Sequence, residues 1–170
     1  TGFLASVGKA AVFVVLLRLF LDADLFRYRR LVEVTGLLAI LSMLAGNLLA
    51  LLQTNVKRML AYSSIAHLGY LLIIFMVCIN GANRALAVEA ATYYLIAYTA
   101  TTIAAFGLLT LVSADRVERE NVQLQQLSGL FWRQPLPACL MLVALLSLAG
   151  IPLTAGFIAK FYLVSAAVSV

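Results

Sequence analysis

The chain has 170 residues, of which 64% are hydrophobic and only 11% charged, with a formal net charge of +5. Soluble domains run about 45–50% apolar and about 25% charged, so this composition excludes a soluble enzyme and indicates an integral membrane protein. The cations are scattered over loops and apolar runs rather than clustered with exposed aromatics, which excludes a nucleic-acid groove.

Taken in order, the residues predict an all-α, polytopic transmembrane helix bundle of about five spans in a single domain, 1–170. Thr1 to Leu21 is apolar except for Lys9 and Arg18 and is long enough to cross a bilayer. A polar loop from Asp22 to Arg30 leads to a second span, about Val32 to Leu52, punctuated by Thr35, Gly36, Ser42, Gly46 and Asn47. Small residues at such spacings let helices approach closely. The turn Gln53 to Arg58 opens a third span ending near Ile79, and Asn80 to Arg84 reads as a turn by composition. A fourth span, about Val88 to Val112, is rich in Tyr, Thr and Ala.

Ser113 to Gln134 is the longest polar stretch. Within it Val122, Leu127, Leu130 and Phe131 predict a short interfacial helix, with Trp132 at headgroup level. The fifth span, from near Pro137 past Val164, is longer than the roughly 20 residues one straight crossing needs and carries the interruption Gly150-Ile151-Pro152. Pro152 lacks an N–H and disfavours helical geometry at Ile151, so the expected product is two half-helices. The chain opens on Thr1 and stops at Val170 inside an apolar run, without a signal-peptide pattern; the expectation is an internal segment of a longer protein. Loop cations divide almost evenly, with Arg27, Arg29, Arg30 and Arg84 against Lys57, Arg58, Arg116, Arg119 and Arg133. Charge alone therefore does not set orientation.

Three residues stand out for chemistry. A lysine near the middle of a span costs roughly 2.5–3.5 kcal/mol on insertion scales and usually has a task there. Lys160, eight residues after Pro152, and Lys9, deep in the first span, both qualify. Gly8-Lys9 is no phosphate loop, since Ala10 stands where Ser or Thr is needed. The plain reading of Lys9 is snorkelling to the headgroups. That of Lys160 is attachment to carbonyls freed at the helix break.

His67 lies ten residues beyond Lys57, about 15 Å along a helix, near mid-membrane. Ser63, Ser64 and Tyr70 share its face, making a polar stripe able to hold water. Histidine titrates near neutrality and relays protons readily. If Lys9, His67 and Lys160 shared a hydrated interior, protonation of one would disfavour protonation of the next, as a stepwise relay requires. Lys57 and Arg58, at the start of a span, read as interfacial anchors. Glu33 and Glu89 lie near interfaces, so no carboxylate matches the depth of the lysines. Cys78 and Cys139 lack metal-ligand spacing and read as small buried hydrophobes. No Gly-x-Gly-x-x-Gly, cysteine quartet or histidine pair is present, so no metal, haem or other redox centre is expected on this chain.

Gly46 to Tyr70, reading Gly-Asn-Leu-Leu-Ala-Leu-Leu-Gln-Thr-Asn-Val-Lys-Arg-Met-Leu-Ala-Tyr-Ser-Ser-Ile-Ala-His-Leu-Gly-Tyr, closely resembles the antiporter-like membrane subunits of respiratory complex I. Ser147 to Tyr162 is similar to the broken twelfth helix of that family, and the resemblance extends over essentially the whole chain. Gly129-Leu-Phe-Trp132 and Lys160-Phe-Tyr162 point to one branch of it. The resemblance implies helices eight to twelve of a fourteen-helix subunit. Lys9 would match the eighth-helix lysine between two half-channels, His67 the tenth-helix histidine and Lys160 the twelfth-helix lysine at the exit. The family's fifth-helix glutamate and seventh-helix lysine would lie upstream of Thr1. It further implies a bacterial inner-membrane location, with the Gln53–Arg58 turn on the cytoplasmic side. Partners would be other membrane-arm subunits of complex I and the lipid bilayer. NADH, flavin, iron–sulfur clusters and quinone would belong to partner subunits and none to this chain. The function implied is proton translocation coupled to electron transfer elsewhere. The alternatives are a subunit of a multisubunit sodium/proton antiporter and a structural membrane scaffold.

Overall fold

The computed structural model describes residues 2–78, 84–113 and 122–168, with side chains described from Val7 onward. The turn expected at 80–83, the arginines Arg116 and Arg119, and the first part of the long polar stretch lie outside the described residues. The helices are α1 (Gly2–Asp22), α2 (Arg29–Leu51), α3 (Val56–Val77), α4 (Arg84–Val112), α5 (Leu130–Arg133), α6 (Pro135–Ala149) and α7 (Ala155–Val168). Among the described residues α2, α3 and α4 are each long and apolar enough to cross a membrane unaided. The helices α6 and α7 are shorter apolar pieces in tandem. The helical bundle expected from the sequence is thus what the chain forms, since helices satisfy every backbone group within the segment.

The most extensive interhelical contact joins α2 to α3. Its closeness depends on glycine. A Cβ at Gly46 would lie 2.6 Å from the Ala66 backbone nitrogen, and one at Gly69 would lie 2.8 Å from the Ala39 carbonyl oxygen. Without a hydrophobic drive between helices in lipid, such close packing is a main source of association. Asn55 starts α3 by accepting hydrogen bonds from the backbone N–H groups of Lys57 (2.9 Å) and Arg58 (3.3 Å). The same turn pairs with the segment before α5: Val56 N–H donates to the Val122 carbonyl and Leu124 N–H to the Thr54 carbonyl, both at 3.0 Å.

The other end of the bundle is held by aromatics. Phe20 and Phe75 meet edge-to-face at 4.7 Å between centroids, with Phe13 and Phe26 beside them. Arg84 covers Phe26, reaches Asp24 at 3.3 Å and donates to the Cys78 carbonyl at 3.1 Å.

The break in the last crossing falls at Gly150-Ile151-Pro152 as expected and runs on to Thr154, but two other expectations and the cause of this break need correction: the proline does not make it. Gly150, in the left-handed region at φ +80°, ends α6: its N–H bonds the Ser147 carbonyl and the Ile151 N–H bonds the Leu146 carbonyl. This is a Schellman stop, and Pro152 follows where a helix has already ended. The region before α6 is not one interfacial helix. A 3-10 turn at Leu124–Leu127 and the single turn of α5 are separated at Gly129, φ +72°. Val122 is buried with Val56 and Leu109 rather than interfacial, while Trp132 is fully outward. Cys78 is buried but Cys139 is exposed, because the packed stripe of α6 is Met141, Ala144 and Ser147 and Cys139 lies off it.

Candidate functional site

Helix α3 is the spine of the site. His67 sits about three turns into it and is buried. Its Nδ1 shares a 2.7 Å hydrogen bond with the hydroxyl of Tyr94 on α4. The Tyr98 ring, one turn along α4, lies 5.0 Å from the imidazole between centroids. Tyr70, one turn along α3, lies at 6.0 Å.

Lys160 approaches from α7. Its Nζ donates to the carbonyls of Leu148 (3.0 Å) and Ala149 (2.9 Å), which the end of α6 leaves without helical partners. It also stands 5.3 Å over the centroid of the Tyr70 ring, a cation–π distance. Gly150 makes this possible: a Cβ there would lie 2.9 Å from Lys160 Cδ. Nearby, Ser147 Oγ accepts from the Gly156 N–H at 3.2 Å, stitching α6 to α7 across the break.

His67 and Lys160 line one cavity of about 280 Å³, together with Ser63, Tyr70, Asn47 and Leu148. A second, much smaller space of about 10 Å³ also touches both, bordered by Tyr94, Tyr98 and Ser147. The first has room for several waters, the second for about one.

Lys9 arrives from α1 on the other side of the polar stripe. Its Nζ donates to Ser64 Oγ, and Ser64 in turn donates to the Ala61 carbonyl at 2.5 Å. Lys9 borders a separate groove with Val12, Leu68 and Leu72 and does not line the His67–Lys160 cavity. None of these three spaces touches all three candidate relay residues. Ser63 and Tyr70 face the Lys160 side, Ser64 faces Lys9, and His67 lies between. Ser63 spends its proton on the Leu60 carbonyl at 2.8 Å. Lys57 and Arg58 occupy the first turn of α3, away from this cavity. Glu33 pairs with Arg29 at 2.8 Å on the exposed side of α2.

Tyr94, Tyr98 and Thr102 were not singled out by motif. The available signal was their spacing: four residues apart along one span, they form one buried face of α4.

A family model described as NADH:quinone oxidoreductase/Mrp antiporter, TM, matches residues 1–170. Among curated relatives, NADH-quinone oxidoreductase subunit N of Methylococcus capsulatus is 53% identical over 162 residues, 95% of this chain and 32% of the relative. The subunit N of Ectopseudomonas mendocina is 51% identical over 166 residues, 98% of this chain and 33% of the relative. That of Chromohalobacter salexigens is 49% identical over 166 residues, 98% and 34% respectively. The chain thus spans about a third of the length of these relatives. Apolar spanning helices and bacterial relatives of this kind make it an integral protein of a bacterial inner membrane. By the full-length match and by these identities, the chain belongs to the NADH:quinone oxidoreductase/Mrp antiporter transmembrane family.

Proposed function

We propose that the chain is a segment of a proton-translocating subunit of an NADH:quinone oxidoreductase, in which Lys9, His67 and Lys160 pass protons along α3. The observation that carries this reading is the convergence of two membrane lysines from different helices on α3, Lys9 at Ser64 and Lys160 at Tyr70, with His67 between them. A charged Lys160 has three donors, of which two serve the Leu148 and Ala149 carbonyls. Loss of its proton weakens that hold and frees the amine to turn into the cavity it shares with His67. Electron transfer in partner subunits, which carry NADH, flavin, iron–sulfur clusters and quinone, supplies the drive; other membrane-arm subunits are the neighbours. Ser63 and Tyr70 support the hydrated side of the route, and Gly150 holds the break open.

The same two carbonyl bonds favour a second reading, in which Lys160 only satisfies backbone freed by the break. The test is NADH-driven acidification of vesicles carrying the full-length subunit with Lys160→Ala, with assembly and NADH oxidation measured alongside. A fall in acidification per NADH oxidised, with the complex assembled, supports the relay. Unchanged acidification makes Lys160 structural. If the assembled protein has no association with NADH oxidation, a cation/proton antiporter subunit replaces the proposal.

A further inference from the structure

Tyr70 is placed between the two titratable groups of the larger cavity. Its ring centroid lies 6.0 Å from that of His67, edge-to-face at 66°, and Lys160 Nζ stands 5.3 Å from the same centroid. All three residues line the space of about 280 Å³. One ring therefore adjoins both an imidazole from its own helix and an amine from α7.

The ring is fixed and the amine is not. Tyr70 packs against the core that holds Phe20 and Phe75. The residue before it, Gly69, is seated against α2, where a Cβ would lie 2.8 Å from the Ala39 carbonyl oxygen. The Lys160 ammonium, by contrast, ends a flexible four-carbon stem.

The amine has two kinds of partner. The Leu148 and Ala149 carbonyls accept its N–H groups at 3.0 and 2.9 Å, and a neutral amine still has N–H groups to offer them. The face of the Tyr70 ring has no lone pair. It presents only the negative side of its quadrupole, which attracts a cation. That attraction is lost with the proton. Of the contacts Lys160 makes among the described residues, the ring is thus the one whose hold depends on charge alone.

We propose that Tyr70 is a positioning residue whose ring face holds the Lys160 ammonium beside His67 and releases the neutral amine. The inference deepens the relay reading and rests on it. Tyr70 carries no proton in this role, and its hydroxyl is not used. A Lys160 that has given up its proton loses its seat on the ring and swings into the cavity. One that has regained a proton returns to the ring and the two carbonyls. The two protonation states are thereby kept as two positions.

The test uses the full-length subunit in its assembled complex, with Tyr70→Phe as the reference. Phenylalanines bearing one, two and three ring fluorines in place of Tyr70 keep the shape of the ring and drain its face of negative charge step by step. Protons translocated per NADH oxidised are expected to fall along that series, several-fold from end to end. Tyr70→Leu is expected to fall at least as far as the last member. Cryo-EM maps are expected to show the Lys160 amine over the ring in Tyr70→Phe and moved away from this position in Tyr70→Leu. A level fluorine series overturns the proposal and leaves the ring a packing role. So does Tyr70→Leu translocating as well as Tyr70→Phe, or an amine found in the same place in both maps. Normal translocation by Lys160→Ala removes the relay reading instead, and the maps then decide by themselves whether the ring holds the amine.

Discussion

His67 and Tyr94, 27 residues apart, share a 2.7 Å hydrogen bond that fixes the imidazole of α3 against α4. Tyr94 is itself buried and stacked with the ring of Tyr98, centroids 6.5 Å apart, so the bond holds the imidazole to a packed partner. Which ring nitrogen carries the proton is thereby tied to which way the Tyr94 hydroxyl points.

Tyr94→Phe is expected to keep the packing and lose this tie. Interhelical side-chain hydrogen bonds in membranes are worth about 0.6 kcal/mol on average, so the complex should lose little thermal stability. Proton translocation should fall more than stability does. Vesicle acidification beside a thermal melt of the purified complex checks both, and a melt lowered as severely as a core truncation would assign Tyr94 a packing role only.

Gly150→Ala is expected to damage the site in two ways. A left-handed backbone costs a residue with a Cβ roughly 1–2 kcal/mol. The added methyl also meets Lys160 Cδ at 2.9 Å and pushes the amine off the Leu148 and Ala149 carbonyls. Acidification should drop with assembly only modestly reduced, measured by native gel and by protons per NADH.

Gly156→Ala places a methyl against the carbonyl group of Ser147 and is expected to separate α6 from α7. Overpacking of this kind costs about 1–3 kcal/mol. Gly107→Ala, where nothing lies within 4 Å, is the matched control and should be neutral. The yield of assembled complex distinguishes the two.

Asn55→Ala removes the acceptor for two N–H groups at the start of α3. A lost cap costs about 1 kcal/mol, and Asn55→Asp should restore most of it. Denaturation midpoints of the three proteins, compared at one detergent concentration, make the measurement.

The spans were legible because apolar runs such as Leu37 to Leu52, bounded by polar turns, have one membrane-compatible conformation. Lys9, His67 and Lys160 were legible because charge and imidazole are rare at that depth. What the sequence hid was contact between distant residues: Lys9 with Ser64 is a 55-residue separation, and nothing local marks it. The end of α6 fell where the sequence put it, at Gly150, but the agent differs for a physical reason. Proline is the conspicuous breaker, yet the helix stops at a glycine able to take positive φ, two residues earlier. Tyr94, Tyr98 and Thr102 read as ordinary span residues until α3 was packed beside them.

The carbonyls that hold Lys160 have one more consequence. They form the C-terminal end of α6, where aligned peptide dipoles amount to about half a negative charge. Among the described residues the negative partner of this lysine is thus main chain rather than a carboxylate. A carboxylate partner can be neutralised by binding a proton; a helix terminus cannot. The share of the Lys160 environment that comes from this helix end does not titrate, and movement of α6 relative to α7 would change it.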